Sequence, residues 1–138
     1  MTTMLRGFTT VTFFAGDMAA AREWYTAVFG AEPYFVREAG GELAYLEWRA
    51  GDHQHELGVL SSRFAPHQPA GRPAGAVIYW AVDDVEAAYR RLLSLGATPH
   101  DEPTERGPGY VTASVTDPFG NILGVMFNQH YLDVLAGA

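Results

Sequence analysis

Cysteine, basic residues and long apolar runs are scarce in this chain of 138 residues. The absence of cysteine excludes a thiol nucleophile, a zinc-thiolate site and a disulfide framework. Lysine and arginine total 9 against 16 aspartates and glutamates, and the net charge of −7 argues against binding to nucleic acid or an anionic membrane. No stretch approaches the ~18 uninterrupted apolar residues of a membrane span, and the first residues do not resemble a signal peptide. We therefore expect a soluble, cytoplasmic protein with no nucleic-acid or membrane partner.

An internal repeat is the main feature that is present. A shift of 66 residues brings Gly-Ala-Glu-Pro at 30–33 onto Gly-Ala-Thr-Pro at 96–99. Leu-Gly-Val at 57–59 returns unchanged at 123–125. Such a repeat predicts two equivalent modules with pseudo-twofold symmetry, and a cleft between them is a natural place for a ligand site.

The first module, at about 7–61, has the pattern of one strand, one helix and three further strands. Phe8–Ala15 is rich in β-branched and aromatic residues, which is typical of a strand. Asp17 is placed to cap a helix over Met18–Phe29, which has an apolar stripe at helical spacing, and Gly30 is placed to end it. The three further strands are predicted, from the turn residues between them, at Glu32–Arg37, Glu42–Ala50 and His53–Leu60.

The second module, at about 75–128, repeats this plan after a Pro- and Gly-rich linker at 62–74. A helix capped by Asp83 or Asp84 is predicted to run to Leu95. The other predicted elements are strands at Gly75–Val82, Ala97–Asp101, Tyr110–Thr116 and Ile122–Asn128, a loop through Pro103 and Gly109, a hairpin turn at 117–121 and a short tail at 129–138. The pattern predicts an α+β fold of two tandem βαβββ modules, whose curved sheets enclose a central cleft.

Three blocks in this order resemble the vicinal oxygen chelate superfamily: Val11–Gly30, Val77–Gly96 and Asp117–Val125. That superfamily includes glyoxalase I, bleomycin-resistance proteins, fosfomycin-resistance enzymes and extradiol dioxygenases. The resemblance covers nearly the whole chain and implies a single glyoxalase/bleomycin-resistance domain over 1–138. It also implies that dimerisation completes the cavity, so we expect a homodimer.

The same resemblance implies a divalent metal held by His and Glu side chains, near the start of the first strand and in the last strand of each module. In this chain those positions fall on residues without a carboxylate or an imidazole: Thr10, Gly58, Val77 and Gly124. Divalent cations need such donors, usually three from the protein. We therefore expect no cofactor, with a divalent metal as the alternative.

The candidates for that alternative metal site are His53, His55 and Glu56. On a strand, the first two project to one face and Glu56 to the other, so the three converge only at a bulge. The remaining histidines are more typical of solvated surface positions: His67, His100 and His130.

One acidic residue is a candidate for catalysis. Glu47 lies on the third predicted strand and would suit general acid or base work if it pointed inward. Asp83 and Asp84 are explained by helix capping, and Ser114 has no sequence context that would activate a nucleophile. An enzyme with an atypical metal set or acid–base pair, acting as a lyase, isomerase or dioxygenase, is thus the alternative to a binding protein.

Aromatic residues are plentiful, with 8 Phe, 7 Tyr and 3 Trp. Strand alternation places several rings and hydroxyls on the predicted ligand-facing side. The candidate ligand-binding residues are Thr10, Thr12, Phe14, Trp48, Tyr79, Tyr110, Ile122 and Met126. We expect metal-independent binding of a small apolar or aromatic molecule, in the manner of the drug-sequestering resistance proteins, with a scaffold or partner-binding subunit as a weaker alternative.

Overall fold

The computed structural model describes residues 4–6, 8–66, 73 and 75–137, which belong to two compact units, Met1–Gln68 and Pro69–Ala138. The predicted linker falls largely outside the described residues, and so does His67. No helix among the described residues is long and apolar enough to cross a membrane.

The first unit is one four-stranded sheet with a helix on one side. Its strand order is β1-β4-β3-β2, with β1 parallel to β4 and the other pairs antiparallel. The elements are β1 (Thr10–Ala15), α1 (Met18–Phe29), β2 (Phe35–Ala39), β3 (Glu42–Ala50), β4 (His55–Ser61) and a short 3-10 helix (Ser62–Phe64).

The ends of α1 are set by the two residues that the sequence indicates. Asp17 accepts a hydrogen bond from the backbone N–H of Ala20 at 3.0 Å. Gly30 takes a left-handed φ of 72°, and its N–H donates to the carbonyl of Thr26. Both predicted caps and the helix bounds are confirmed, because a carboxylate satisfies free N–H groups at the start and only glycine takes this φ at no steric cost.

Trp48 of β3 lies in the core between the sheet and α1. It is 1% exposed, and its ring centroid lies 5.8 Å from that of Tyr25 and 5.7 Å from that of Phe29. Its indole N–H donates to the carbonyl of Ala31 at 2.9 Å. Since side chains alternate along a strand, the neighbours of Trp48 on β3 lie on the opposite face of the sheet.

The second unit repeats the plan in the order β5-β8-β7-β6, again with a parallel pair, β5 and β8. Its elements are β5 (Ile78–Ala81), α2 (Val85–Ser94), β6 (Thr98–Gly107), β7 (Tyr110–Thr116), β8 (Ile122–Asn128) and α3 (Gln129–Leu135). The predicted α+β class and the two βαβββ modules are confirmed. Of the two candidate caps of α2, it is Asp84 that accepts from the N–H of Ala87.

Asp117 holds the hairpin turn between β7 and β8. It is 3% exposed, and its carboxylate accepts from the backbone N–H of Phe119 at 2.9 Å and of Asn121 at 2.7 Å. The side-chain amide of Asn121 donates to its other oxygen at 2.8 Å. The predicted turn is confirmed, and the buried carboxylate is its centre.

The structure places β2 at Phe35–Ala39 rather than Glu32–Arg37 and β5 at Ile78–Ala81 rather than Gly75–Val82, and it differs further from the sequence prediction at three other elements. The loop predicted through Pro103 is part of the ten-residue strand β6, where an edge position and irregular register tolerate a proline. The fourth strand begins at His55 rather than His53, because a turn precedes it in which Gln54 has a φ of 56°. The tail contains the seven-residue helix α3, which Asn128 caps by accepting from the N–H of His130.

Candidate functional site

The face of the first sheet that points away from α1, here called the open face of the first unit, carries a row of polar and aromatic side chains. Residues paired across neighbouring strands share a face, so Thr12, Gly58, Glu47 and Phe35 form one row across the sheet. The next row contains Thr10, Glu56 and Arg49. Tyr45 and Phe14 lie on the same face by alternation.

Gly58 allows a tyrosine to lie against the middle of β4. A Cβ added at Gly58 would overlap the hydroxyl oxygen of Tyr45 and lie 2.6 Å from its ring. The same hydroxyl donates to Oε1 of Glu47 at 2.9 Å. Burial and this hydrogen bond to Glu47 raise the pKa of Tyr45 above its ordinary 10.0, so the phenol stays protonated and remains a donor.

The second carboxylate on the open face, Glu56, already has charged and polar partners. The hydroxyl of Thr10 donates to Oε1 of Glu56 at 3.0 Å, and Nε of Arg49 lies 3.6 Å from Oε2. The guanidinium of Arg49 also lies 3.8 Å from the centroid of the Tyr34 ring. Glu56 is therefore held in place by a cation of the protein itself.

The residues present do not fit a divalent metal. Gly58 and Gly124 offer no donor, and the Tyr45 side chain fills the space that a side chain at 58 would enter. The rings of His53 and His55 are neighbours, with centroids 5.6 Å apart, but both residues are exposed and Glu56 is engaged by Arg49. Within residues 4–6, 8–66, 73 and 75–137 no group of three or more His, Cys, Asp or Glu side chains could hold a metal ion.

The candidate ligand-binding residues of the first unit divide between the two sheet faces. Thr10, Thr12 and Phe14 lie on the open face, as does Glu47. Trp48 does not, because its ring packs under α1. The placement of Trp48 on the ligand-facing side is therefore corrected: the strand phase that brings Glu47 to the open face buries Trp48 on the other side.

The second unit also has a tyrosine against a central glycine. A Cβ at Gly124 would be 2.6 Å from Cδ1 of Tyr79 and 2.8 Å from the carbonyl oxygen of Ile78. Tyr79 is 42% exposed and is paired directly with Gly124 across β5 and β8. The candidates on the same face by alternation are Ile122, Met126 and, at the start of β7, the exposed Tyr110.

Polar side chains of β6 and β7 contact each other on this face of the second unit. Nδ1 of His100 lies 2.8 Å from Oγ of Ser114, which is 2% exposed. Arg106 donates to the hydroxyl of Thr112 at 3.0 Å and pairs with Asp101 at 2.6 Å. Because the Ser114 hydroxyl is buried and has a hydrogen-bond partner, the contact satisfies a core polar group.

Tyr45 is not among the site residues predicted from the sequence. The signal that could have found it is the glycine inside β4, since glycine in a strand interior often marks the close approach of another group. The partner on the neighbouring strand becomes clear only from the register, in which Gly58 pairs with Glu47 and Tyr45 lies two residues away.

The chain consists of two βαβββ units. Each unit has a helix on one face of its sheet and polar and aromatic side chains on the opposite face. Comparison with known proteins identifies the family that has this architecture. The family model described as "Glyoxalase/Bleomycin resistance protein/Dioxygenase superfamily" matches residues 7–125. The chain belongs to this superfamily, which confirms the resemblance drawn from its sequence blocks.

Individual relatives agree with this assignment. The chain is 31% identical, over 104 residues, to the anthracycline biosynthesis protein DauV of Streptomyces sp. (strain C5); the match covers 75% of this chain and 35% of that protein. It is similar in fold to a glyoxalase-related enzyme from Fulvimarina pelagi, with a TM-score of 0.69, 20% identity and coverage of 91% and 90% of the two chains. A superfamily member from Sphaerobacter thermophilus gives a TM-score of 0.67 at 20% identity, with coverage of 90% and 98%.

Proposed function

We propose that this protein binds a planar aromatic small molecule, without a metal, on the open face of the first unit. The observation that carries the proposal is the Tyr45 side chain, which lies over Gly58 with its hydroxyl on Glu47. A tyrosine and a carboxylate thus lie at the centre of the face, and the residues that the structure describes supply no set of metal ligands there. Rings supply stacking surface and the carboxylate supplies a polar anchor.

Neighbouring side chains extend the aromatic surface around Tyr45. The ring of Phe35 lies 6.3 Å from that of Tyr45, centroid to centroid, and Phe35 is 44% exposed. Thr12 is exposed in the same row and adds a hydroxyl. A flat ligand would therefore meet rings at one end of the row and a hydrogen-bonding group at the other.

The name of one relative suggests a class of aromatic ligand. DauV is an anthracycline biosynthesis protein, and the anthracycline skeleton is a fused-ring aromatic system. The present chain spans 35% of the length of DauV, so the likeness concerns one part of that protein. We extend to this chain only the ligand class, a fused-ring aromatic molecule.

Binding can be measured by titrating a fluorescent anthracycline with protein that has been treated with a chelator. We expect saturable binding that the chelator leaves intact and that Phe35→Ala weakens about tenfold, since burying an aromatic side chain against a ligand is worth roughly 1.5 kcal/mol or more. Phe64→Ala is the matched control, because Phe64 is similarly exposed at 47% but lies in the 3-10 helix after β4. Equal weakening by both substitutions, or binding that requires added metal, would contradict the proposal.

Acid–base catalysis at Glu47 is a second candidate function, favoured by the Tyr45 hydrogen bond to that carboxylate. It predicts slow conversion of a bound ligand, visible by mass spectrometry, that is lost in Glu47→Gln. An unchanged ligand after long incubation would leave binding alone. The homodimer and the cytoplasmic location stay predictions, and sedimentation of the purified protein tests the first of them.

A further inference from the structure

The two carboxylates on the open face of the first unit differ in how their charges are balanced. Glu56 has the Arg49 guanidinium 3.6 Å away and a hydrogen bond from Thr10. The carboxylate of Glu47, on the neighbouring strand, has neither an ion pair nor any hydrogen bond other than that from Tyr45 among the described residues. The negative charge of Glu56 is therefore balanced by Arg49, whereas that of Glu47 has no cationic partner among the described residues.

We propose that Glu47 binds a positively charged nitrogen of the ligand and that Tyr45 is the positioning residue that orients it. This inference rests on the proposed function, because it assigns the charge of the aromatic ligand bound on the same face. The ligand class is accordingly an aromatic molecule with a protonated amine. Tyr45 acts through Glu47, since its hydroxyl donates to Oε1 of that carboxylate.

The position of Glu47 in its row suits this role. Its strand neighbours in register are Gly58, which has no side chain, and Phe35. Oε2 of Glu47 accepts no hydrogen bond within the part of the chain that the structure describes, so this oxygen is available to an ammonium group. The nearby rings of Phe35 and Tyr45 present aromatic surface, which also attracts cations.

The physical driving force is the compensation of a partly buried charge. Glu47 is partly buried, and a carboxylate taken out of water without a cationic partner is disfavoured. A ligand ammonium both pairs with this charge and forms a charge-assisted hydrogen bond, which is stronger than a neutral one. The raised pKa of the Tyr45 phenol keeps its proton on the hydroxyl, so that it donates to Glu47 rather than repelling it.

Two probes of the same shape test the charge directly: an aminomethyl-anthracene, which is protonated at neutral pH, and the corresponding hydroxymethyl-anthracene, which is neutral. Dissociation constants are measured by fluorescence polarisation for the unmodified chain and for Glu47→Gln, Tyr45→Phe and Glu42→Gln. Glu42→Gln is the matched control, because it removes one negative charge from the same strand, at an exposed position paired with Arg63.

We expect the unmodified chain and Glu42→Gln to prefer the amine over the alcohol by about tenfold or more, the equivalent of one charge-assisted hydrogen bond. Glu47→Gln should abolish this preference and leave the affinity for the alcohol within about twofold. Tyr45→Phe should reduce the preference partly, which a purely structural role would not do because it would weaken both probes alike. High salt should lower the preference as well.

Persistence of the full preference in folded Glu47→Gln would overturn the inference, and so would an equal loss in Glu42→Gln. Should Glu47→Gln not fold, an amine preference in Tyr45→Phe equal to that of the unmodified chain overturns it instead. Binding of both probes with equal affinity contradicts the charge assignment but leaves the proposed aromatic site standing. No binding of either probe contradicts the proposed function itself.

Discussion

The two units place a tyrosine against the same repeated glycine, but the tyrosine comes from opposite sides. In the first unit Tyr45 reaches Gly58 from β3, the antiparallel neighbour of β4. In the second unit Tyr79 reaches Gly124 from β5, the parallel neighbour of β8. The glycine is thus retained in both modules, while the residue that uses its space differs.

This difference shows that an internal repeat can retain a glycine, and the space beside it for a neighbouring side chain, without retaining the polar residues that surround this space. Next to Gly58 in register lies the carboxylate of Glu47, and next to Gly124 lies the buried hydroxyl of Ser114. Only the first of these pairs puts a negative charge beside the tyrosine. The proposed ligand site therefore belongs to one module, although both have the same backbone plan.

The largest expected contrast between the units lies in the turns before their last strands. Asp117→Ala should destabilise the protein by about 3 kcal/mol, because it removes a buried carboxylate that accepts three hydrogen bonds. Asp52→Ala, in the exposed turn of the first unit, should cost less than Asp117→Ala, because Asp52 is exposed to water and Asp117 is buried. Urea unfolding followed by circular dichroism measures both, and similar losses would show that the two turns are equivalent.

The two glycines provide a second contrast. Gly124→Ala should destabilise by about 2 kcal/mol, because the new methyl group meets the backbone carbonyl of Ile78 as well as the Tyr79 ring. Gly58→Ala should cost only about 1 kcal/mol, since it meets a side chain, Tyr45, that can rotate away. The same unfolding measurement applies, and a larger loss for Gly58→Ala would mean that the Tyr45 side chain is as rigid as backbone.

The smallest expected effect is the pH dependence of the stability that Tyr45 contributes. The pKa of Tyr45 is raised by burial and then by Glu47, so the unfolded chain loses this proton first as pH rises above about 10. The stability advantage of the unmodified chain over Tyr45→Phe is therefore complete below that pH and should shrink above it by up to about 1.4 kcal/mol per pH unit. Glu47→Gln should flatten this dependence. An advantage that stays constant to about pH 11 would contradict the raised pKa.

Helices α1 and α2 and the last hairpin turn were predictable because single residues define their ends. Asp17 and Gly30 set both ends of α1, and Asp117 marks the last hairpin. The start of strand β6 was predicted, but its extension beyond Asp101 was not predictable from local sequence, because Pro103 is typical of a loop unless the strand is known to lie at a sheet edge. Helix α3 follows a cap, Asn128, but its seven residues are too few for apolar spacing to identify a helix.

The candidate site was harder to predict than the fold, because it depends on strand phase and register. Trp48 and Glu47 are adjacent on β3, so their side chains point to opposite faces of the sheet and only one of them can lie on the open face. Tertiary contacts with α1 select the second phase, since the Trp48 ring packs against Tyr25. Tyr45 and Glu47 lie on the same strand, but the position of the Tyr45 side chain depends on the space that Gly58 leaves on the neighbouring strand β4.

The location of Trp48 in the core has a practical consequence for the study of folding. The first unit holds two of the three tryptophans, Trp24 and Trp48, which are 9% and 1% exposed, and the second unit holds Trp80 in β5. Indole emission therefore reports mainly on the first unit, whereas backbone circular dichroism reports on both. Coincident transitions in the two signals would mean that the units unfold as one cooperative system, and separated transitions would give the stability of each.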